Sequence, residues 1–120
     1  MKTIIIGASP NPERYAHQAA VLLKKYGHEF IPLGIKRGEV LGQSIQDIRS
    51  SPRFDDVHTI TLYIRPELQP NYYDYLISLK PKQIIFNPGT ENTEFEKLAQ
   101  ANGIEIEEAC TLVLLRTGQF

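Results

Sequence analysis

Gly7-Ala8-Ser9 follows directly on the β-branched run Thr3 to Ile6. A glycine, a small residue and a hydroxyl at a strand exit are the parts of a phosphate cradle. Gly7 lets the chain turn tightly, Ser9 offers an O–H, and N–H groups at the start of a following helix can face an anion. The match to G-x-G-x-x-G is incomplete, because Ser9 and Pro12 stand where glycines are needed. A tight β-α turn with Ser9 merely capping it explains these residues equally well. Arg14 stands in the first turn of the helix that follows, and Arg65 comes directly after a later apolar run. Both are placed to reach one crevice, although Arg14 also reads as an ordinary surface residue beside Glu13. Asn87-Pro88-Gly89-Thr90 forms another turn before a helix, and there Thr90 serves equally well as the helix cap.

Where folds of this pattern hold NAD, an acidic residue near the end of the second strand takes the adenosine ribose hydroxyls. Here the exit Ile31-Pro32-Leu33-Gly34 is followed by Lys36 and Arg37. Bases suit a phosphate on that ribose, which NADP supplies and so does coenzyme A through its 3′-phosphate. The commoner fate of such a pair is a solvated loop.

Other chemistries lack their parts. His17, His28 and His58 are scattered and pair with no His, Asp or Glu at metal-ligand spacing. No G-x-S-x-G elbow or Ser/His/Asp order occurs. Cys110 follows Glu107-Glu108 and has no basic residue near it in sequence, so it reads as a structural cysteine. Tyr72, Tyr73 and Tyr75 read as one helix face against the core. Nothing assembles an acid, a base and a nucleophile, so no catalysis is expected.

These residues must be positioned by alternating strands and helices. Thr3 to Ile6 is a strand buried on both faces. Asn11 is a plausible N-cap with Pro12 at the first helical position, and Ala16, Ala19, Ala20 and Leu23 recur at helical spacing up to Gly27. His28 to Leu33 is the second strand, reached by a right-handed crossover. Gly34 to Gly42 is a loop, and Gln43 to Pro52 is irregular with room for one short strand or helical turn. In Val57 to Ile64, Ile60, Leu62 and Ile64 alternate as in a strand. Leu68, Tyr72, Tyr75, Leu76 and Leu79 keep helical spacing in a helix starting near Pro70 or Asn71. Gln83 to Phe86 is a strand, Phe95, Leu98 and Ala99 mark a helix, and Ile104 to Ile106 is the last short strand. Thr111 to Leu115 is apolar but too short to type. The alternation implies one α/β domain over residues 1–120, with helices on both faces of a mostly parallel sheet of about five strands. Ligands of such sheets bind outside the carboxyl ends of the strands, where the strand order switches.

Composition narrows the class further. With 13 Lys+Arg against 14 Asp+Glu, the net charge of −1 leaves no footprint for nucleic acid or an anionic membrane. One cysteine excludes a disulfide framework and fits a reducing compartment. The N-terminal apolar run ends after three isoleucines at Gly7, too soon for a signal peptide. A cytoplasmic protein is expected, with a homodimer left open.

Taken together, the separated blocks resemble the CoA-binding domain family. They are Gly7-Ala8-Ser9-Pro10-Asn11-Pro12-Glu13-Arg14, Gly38-Glu39-Val40-Leu41-Gly42, Arg65-Pro66-Glu67, and Asn87-Pro88-Gly89-Thr90 through Gly103-Ile104-Glu105 to Cys110. That family includes small stand-alone bacterial proteins and, more distantly, the N-terminal domain of the succinyl-CoA synthetase alpha subunit. The resemblance implies a three-layer, Rossmann-like doubly wound sheet with CoA or an acyl-CoA along its carboxyl edge. It implies cofactor contacts from Gly7, Ala8, Ser9, Arg14, Lys36, Arg65, Asn87, Pro88 and Gly89, and Cys110 as a thiol able to form a mixed disulfide with CoA. This chain departs from the stand-alone pattern in having Asn87-Pro88 before the glycine. The synthetase's catalytic histidine belongs to a domain outside the resemblance, so ligase chemistry does not carry over. Two other readings are an NADP-dependent reductase or its subunit, and a regulatory interaction protein with a vestigial nucleotide site.

Overall fold

The computed structural model describes residues 1–120. The chain runs β1 (Lys2–Ile6), α1 (Tyr15–Lys25), β2 (Glu29–Gly34), a small hairpin of β3 (Glu39–Val40) and β4 (Gln43–Ser44), then β5 (Gln46–Asp47). It continues through β6 (Val57–Leu62), α2 (Tyr73–Ser78), β7 (Gln83–Phe86), α3 (Thr93–Ala101), β8 (Glu105–Glu108) and α4 (Thr111–Arg116). The main sheet is ordered β5-β2-β1-β6-β7-β8, and every pairing in it is parallel. It has six strands, not five. The extra one is β5, two residues paired beside Leu33 and Gly34 from within the stretch 43–52 that reads as irregular.

Both sheet faces are covered, giving the three-layer doubly wound architecture. Ile4, Ile6, Leu33, Ile60, Leu62, Ile84 and Phe86 pack with Leu76 of α2 and Phe95 and Ala99 of α3. Their neighbour Ile5 points the other way, with Phe30, onto Ala16, Ala20 and Leu23 of α1 and Leu115 of α4. Period two along a strand produces this split, and burial on both sides explains the continuous apolar runs. It also explains Thr59 and Thr61, which alternate with Ile60 and Leu62 yet are fully buried. Pro32 is tolerated inside β2 because backbone polar groups alternate in direction along a strand. Leu33 turns its carbonyl to Gly7 on the β1 side, so Pro32 faces the other edge, where β5 pairs only Leu33 and Gly34.

Three helix starts differ from the sequence expectation, each for a local reason. Asn11 is not the cap of α1: its Oδ1 accepts from the Glu13 N–H at 3.0 Å and its carbonyl accepts from the Arg14 N–H at 3.0 Å. That side-chain-closed turn competes with the helix, so α1 begins at Tyr15 and Arg14 is its extended N-cap residue, outside the first turn. In the third helical region Pro66–Tyr72 is a 3-10 segment containing Pro70, and the α-helix begins only at Tyr73. Proline removes an N–H and biases its predecessor away from the α region. In consequence Leu68 is exposed and Gln69 is fully buried. Asn92, not Thr90, caps α3, accepting from the Phe95 N–H at 3.2 Å.

Candidate functional site

The chain leaves β1 toward β2 on one side and returns to β6 on the other, so the strand order switches at β1. The three exits there are fastened to one another. Gly7 N–H donates to the Leu33 carbonyl at 2.9 Å, and Tyr63 N–H donates to the Ile6 carbonyl at 2.8 Å. Gly7 has a φ of +92°, and a Cβ on it would lie 3.0 Å from both the carbonyl carbon and the oxygen of Tyr63. Glycine is therefore demanded by backbone geometry and by packing.

Above these exits opens a cleft with two lobes. The larger, about 510 Å³, is mostly apolar, walled by Ile6, Ala8, Ile35, Ile48, Ile64 and Tyr72. The smaller, about 290 Å³, is polar and reaches Ser9, Arg14, Tyr15, Pro88, Gly89 and Thr90. Gly7, Lys36, Tyr63 and Arg65 border both lobes. Arg14 and Lys36 carry no ion pair, while Arg65 has Glu67 at 3.6 Å with both side chains largely in solvent. The cleft thus offers an apolar wall and three cations at one place.

Of the residues singled out in the sequence, Gly7, Ala8, Ser9, Arg14, Lys36, Arg65, Pro88 and Gly89 border this cleft. Asn87 does not. It is buried, its amide donates to Thr61 Oγ and to the Leu62 carbonyl, both at 2.7 Å, and its Oδ1 accepts from the Thr111 N–H at 2.9 Å. Asn87 is a strut between β6, β7 and α4, with no side-chain atom left for a ligand. Ser9 is likewise partly engaged, accepting from the Asn11 N–H at 3.1 Å. Gly89 N–H already donates to Glu91 Oε1 at 2.8 Å, so an incoming anion there would have to displace a carboxylate. Cys110 is half-buried at the start of α4 and borders neither lobe.

Residue types alone did not reveal Tyr63. It sits between the end of β6 and Arg65, it borders both lobes, and its hydroxyl is buried without a hydrogen-bond partner. Burial pushes this phenol up to about 12, against an opposing pull from the Thr111 and Thr61 hydroxyls, and Cys110 nearby adds to the rise. Gln69 was missed too. Its amide donates to the Ile64 and Thr90 carbonyls at 3.0 and 2.8 Å and its Oε1 accepts from Asn92 Nδ2 at 2.9 Å, tying the β6 exit to the loop before α3.

A larger hollow, about 610 Å³, opens at the opposite, amino end of the sheet beside Lys2, Arg53, Lys80 and Lys82. Two of its cations are spent on structure. Arg53 donates to Ser78 Oγ and the Ser78 carbonyl, and Lys2 Nζ donates to the Asp55 carbonyl. Volume alone does not make it the site, because the strand-exit loops and their backbone donors converge at the other end.

The model of a family described as the CoA binding domain matches residues 1–116. This chain belongs to the CoA-binding domain family. A crystal structure of an uncharacterized protein is 54% identical, with a TM-score of 0.96 over 99% of this chain and 97% of that one. A hypothetical protein from Pyrococcus horikoshii OT3 is 27% identical, with a TM-score of 0.77 over 95% of this chain and 81% of that one. Prb, a protein redesigned for binding, shares the fold at 24% identity, with a TM-score of 0.87 over 99% of this chain and 84% of its own. No curated protein matches the chain. No helix of this family member is long and apolar enough to cross a membrane.

Proposed function

We propose that this chain is a cytoplasmic protein that holds CoA, free or acylated, along the carboxyl edge of its sheet and performs no reaction of its own. The observation that carries this is the paired cleft: an apolar lobe and a cation-bearing polar lobe sharing Gly7, Lys36, Tyr63 and Arg65. CoA has both characters, a polyanionic nucleotide end and a long uncharged arm, so these residues fit it. Arg14, Lys36 and Arg65 would neutralise its phosphates, and the Ser9 hydroxyl can donate to an oxygen acceptor. The uncharged parts would lie against Ile35, Ile48, Ile64 and Tyr72. Lys36 follows the second strand, where a ribose phosphate is met in folds of this kind.

Calorimetric titration with CoA, with NADPH as the comparison ligand, tests the reading. Binding of CoA with no response to NADPH is expected. In the same titrations Lys36→Glu should weaken CoA by roughly tenfold and 3′-dephospho-CoA much less, as expected for loss of one charge-assisted contact. Equal losses for both ligands would remove the 3′-phosphate from Lys36. Silence toward CoA would leave an interaction protein with a vestigial cleft.

A further inference from the structure

We infer that Tyr63 is a recruited ligand contact: its phenol, stored inside the protein in the free state, turns into the cleft to donate a hydrogen bond to an anionic oxygen of the ligand. This rests on the CoA reading above. Three observations lead to it. First, the Tyr63 hydroxyl is buried and has no hydrogen-bond partner. Beside it the Thr61 and Thr111 hydroxyls bond each other at 2.8 Å, and Thr61 Oγ also accepts from Asn87 Nδ2 at 2.7 Å. A buried hydroxyl without a partner is unfavourable, so the free state holds this group at a cost that a ligand acceptor would relieve.

Second, Tyr63 stands where the two lobes meet, sharing that border with Gly7, Lys36 and Arg65. A ligand that occupies both lobes must pass this point. The cations on either side favour an anionic oxygen there, and a phenol is a competent donor to one. Third, the backbone of Tyr63 is fixed. Its N–H is held by the Ile6 carbonyl at 2.8 Å, and the absent Cβ of Gly7 gives its carbonyl room. The side chain is partly buried against the α1 face of the core. Rotation about the side-chain bonds alone would redirect the hydroxyl and leave these backbone contacts in place.

The conservative variant Tyr63→Phe separates this role from a purely structural one, since it keeps the ring and the cleft shape. Without ligand, its thermal midpoint should rise by about 2–4 °C, because an unpartnered buried hydroxyl is gone. With CoA, its affinity should fall by roughly tenfold, the loss of one hydrogen bond to a charged acceptor. A structural role moves both quantities in the same direction. Equal CoA affinity in the two proteins would overturn the inference, and so would a lower thermal midpoint in Tyr63→Phe, which would show the hydroxyl to be satisfied inside. Failure of the unaltered protein to bind CoA would instead defeat the functional reading itself, and this inference with it.

Discussion

Asn87 and Tyr63 are both polar residues near a strand exit, and their side chains serve opposite ends. The carboxamide of Asn87 supplies two donors and an acceptor, and all are used inside the protein, on Thr61, Leu62 and Thr111. Asn87→Ala would strand the buried Leu62 carbonyl and Thr111 N–H together, and unsatisfied groups of this kind cost on the order of 1–3 kcal/mol each. We expect a loss of about 3 kcal/mol in urea unfolding, and a loss below about 1 kcal/mol would show that water replaces the amide. Residue type and position along the chain could nominate Asn87 for the site, because its loop does lie at the carboxyl edge. They could not say which way the amide points. That direction depends on Thr61 and Thr111, which are 26 and 24 residues away in sequence. Tyr63 escaped notice for the converse reason. Beside Arg65 a tyrosine carries little chemical signal, and its interest comes from a missing partner that only three-dimensional packing reveals.

Among the elements, strands and loop positions were legible and helix starts were not. Runs such as Thr3 to Ile6 and Gln83 to Phe86 announce buried parallel strands by composition. The order of alternation then places Gly7, Lys36, Arg65 and Gly89 at one edge. Helix starts depend on competing local hydrogen bonds, as at Asn11, and on proline, as at Pro70, so periodicity put them several residues early. The strand β5 was invisible because two paired residues have no periodicity. The two loop glycines make the physics of these exits testable. Both have positive φ, +92° at Gly7 and +93° at Gly89, but an added Cβ meets Tyr63 backbone at 3.0 Å in the first and nothing within 4 Å in the second. Gly89→Ala should therefore cost only the backbone strain, about 1–2 kcal/mol. Gly7→Ala adds a clash between fastened strand exits and should cost at least about twice that, measured as the difference in thermal midpoints. Equal losses would mean that the β1 and β6 exits part more easily than their hydrogen bonds suggest.

For the molecule as a whole, the doubly wound sheet hides phenols as well as hydrocarbons, which gives stability a defined alkaline limit. Tyr63 is raised to about 12 by burial, with the Thr111 and Thr61 hydroxyls pulling the other way. Tyr75 is also raised to about 12 by burial, against an opposing pull from the nearby Arg53, and its hydroxyl donates to the Pro52 carbonyl at 2.6 Å. An acid raised in the folded state is held neutral there and ionises more readily when unfolded. Its contribution is therefore intact below the unfolded pKa near 10 and is lost as pH climbs from about 10 through about 12. For Tyr63 the full loss is on the order of 2 kcal/mol, and for the more exposed Tyr75 solvent screening makes it smaller. Urea midpoints measured from pH 8 to 12 should stay level to about pH 10 and then fall. In Tyr63→Phe the fall should be shallower from the same starting pH, because one of the two neutral phenols has been removed. If the two proteins decline in parallel, Tyr63 already reaches solvent in the free state and its hydroxyl is not stored inside. A flattened decline, joined to weaker CoA binding by the same variant, would tie the alkaline limit of the fold to the residue that meets the ligand.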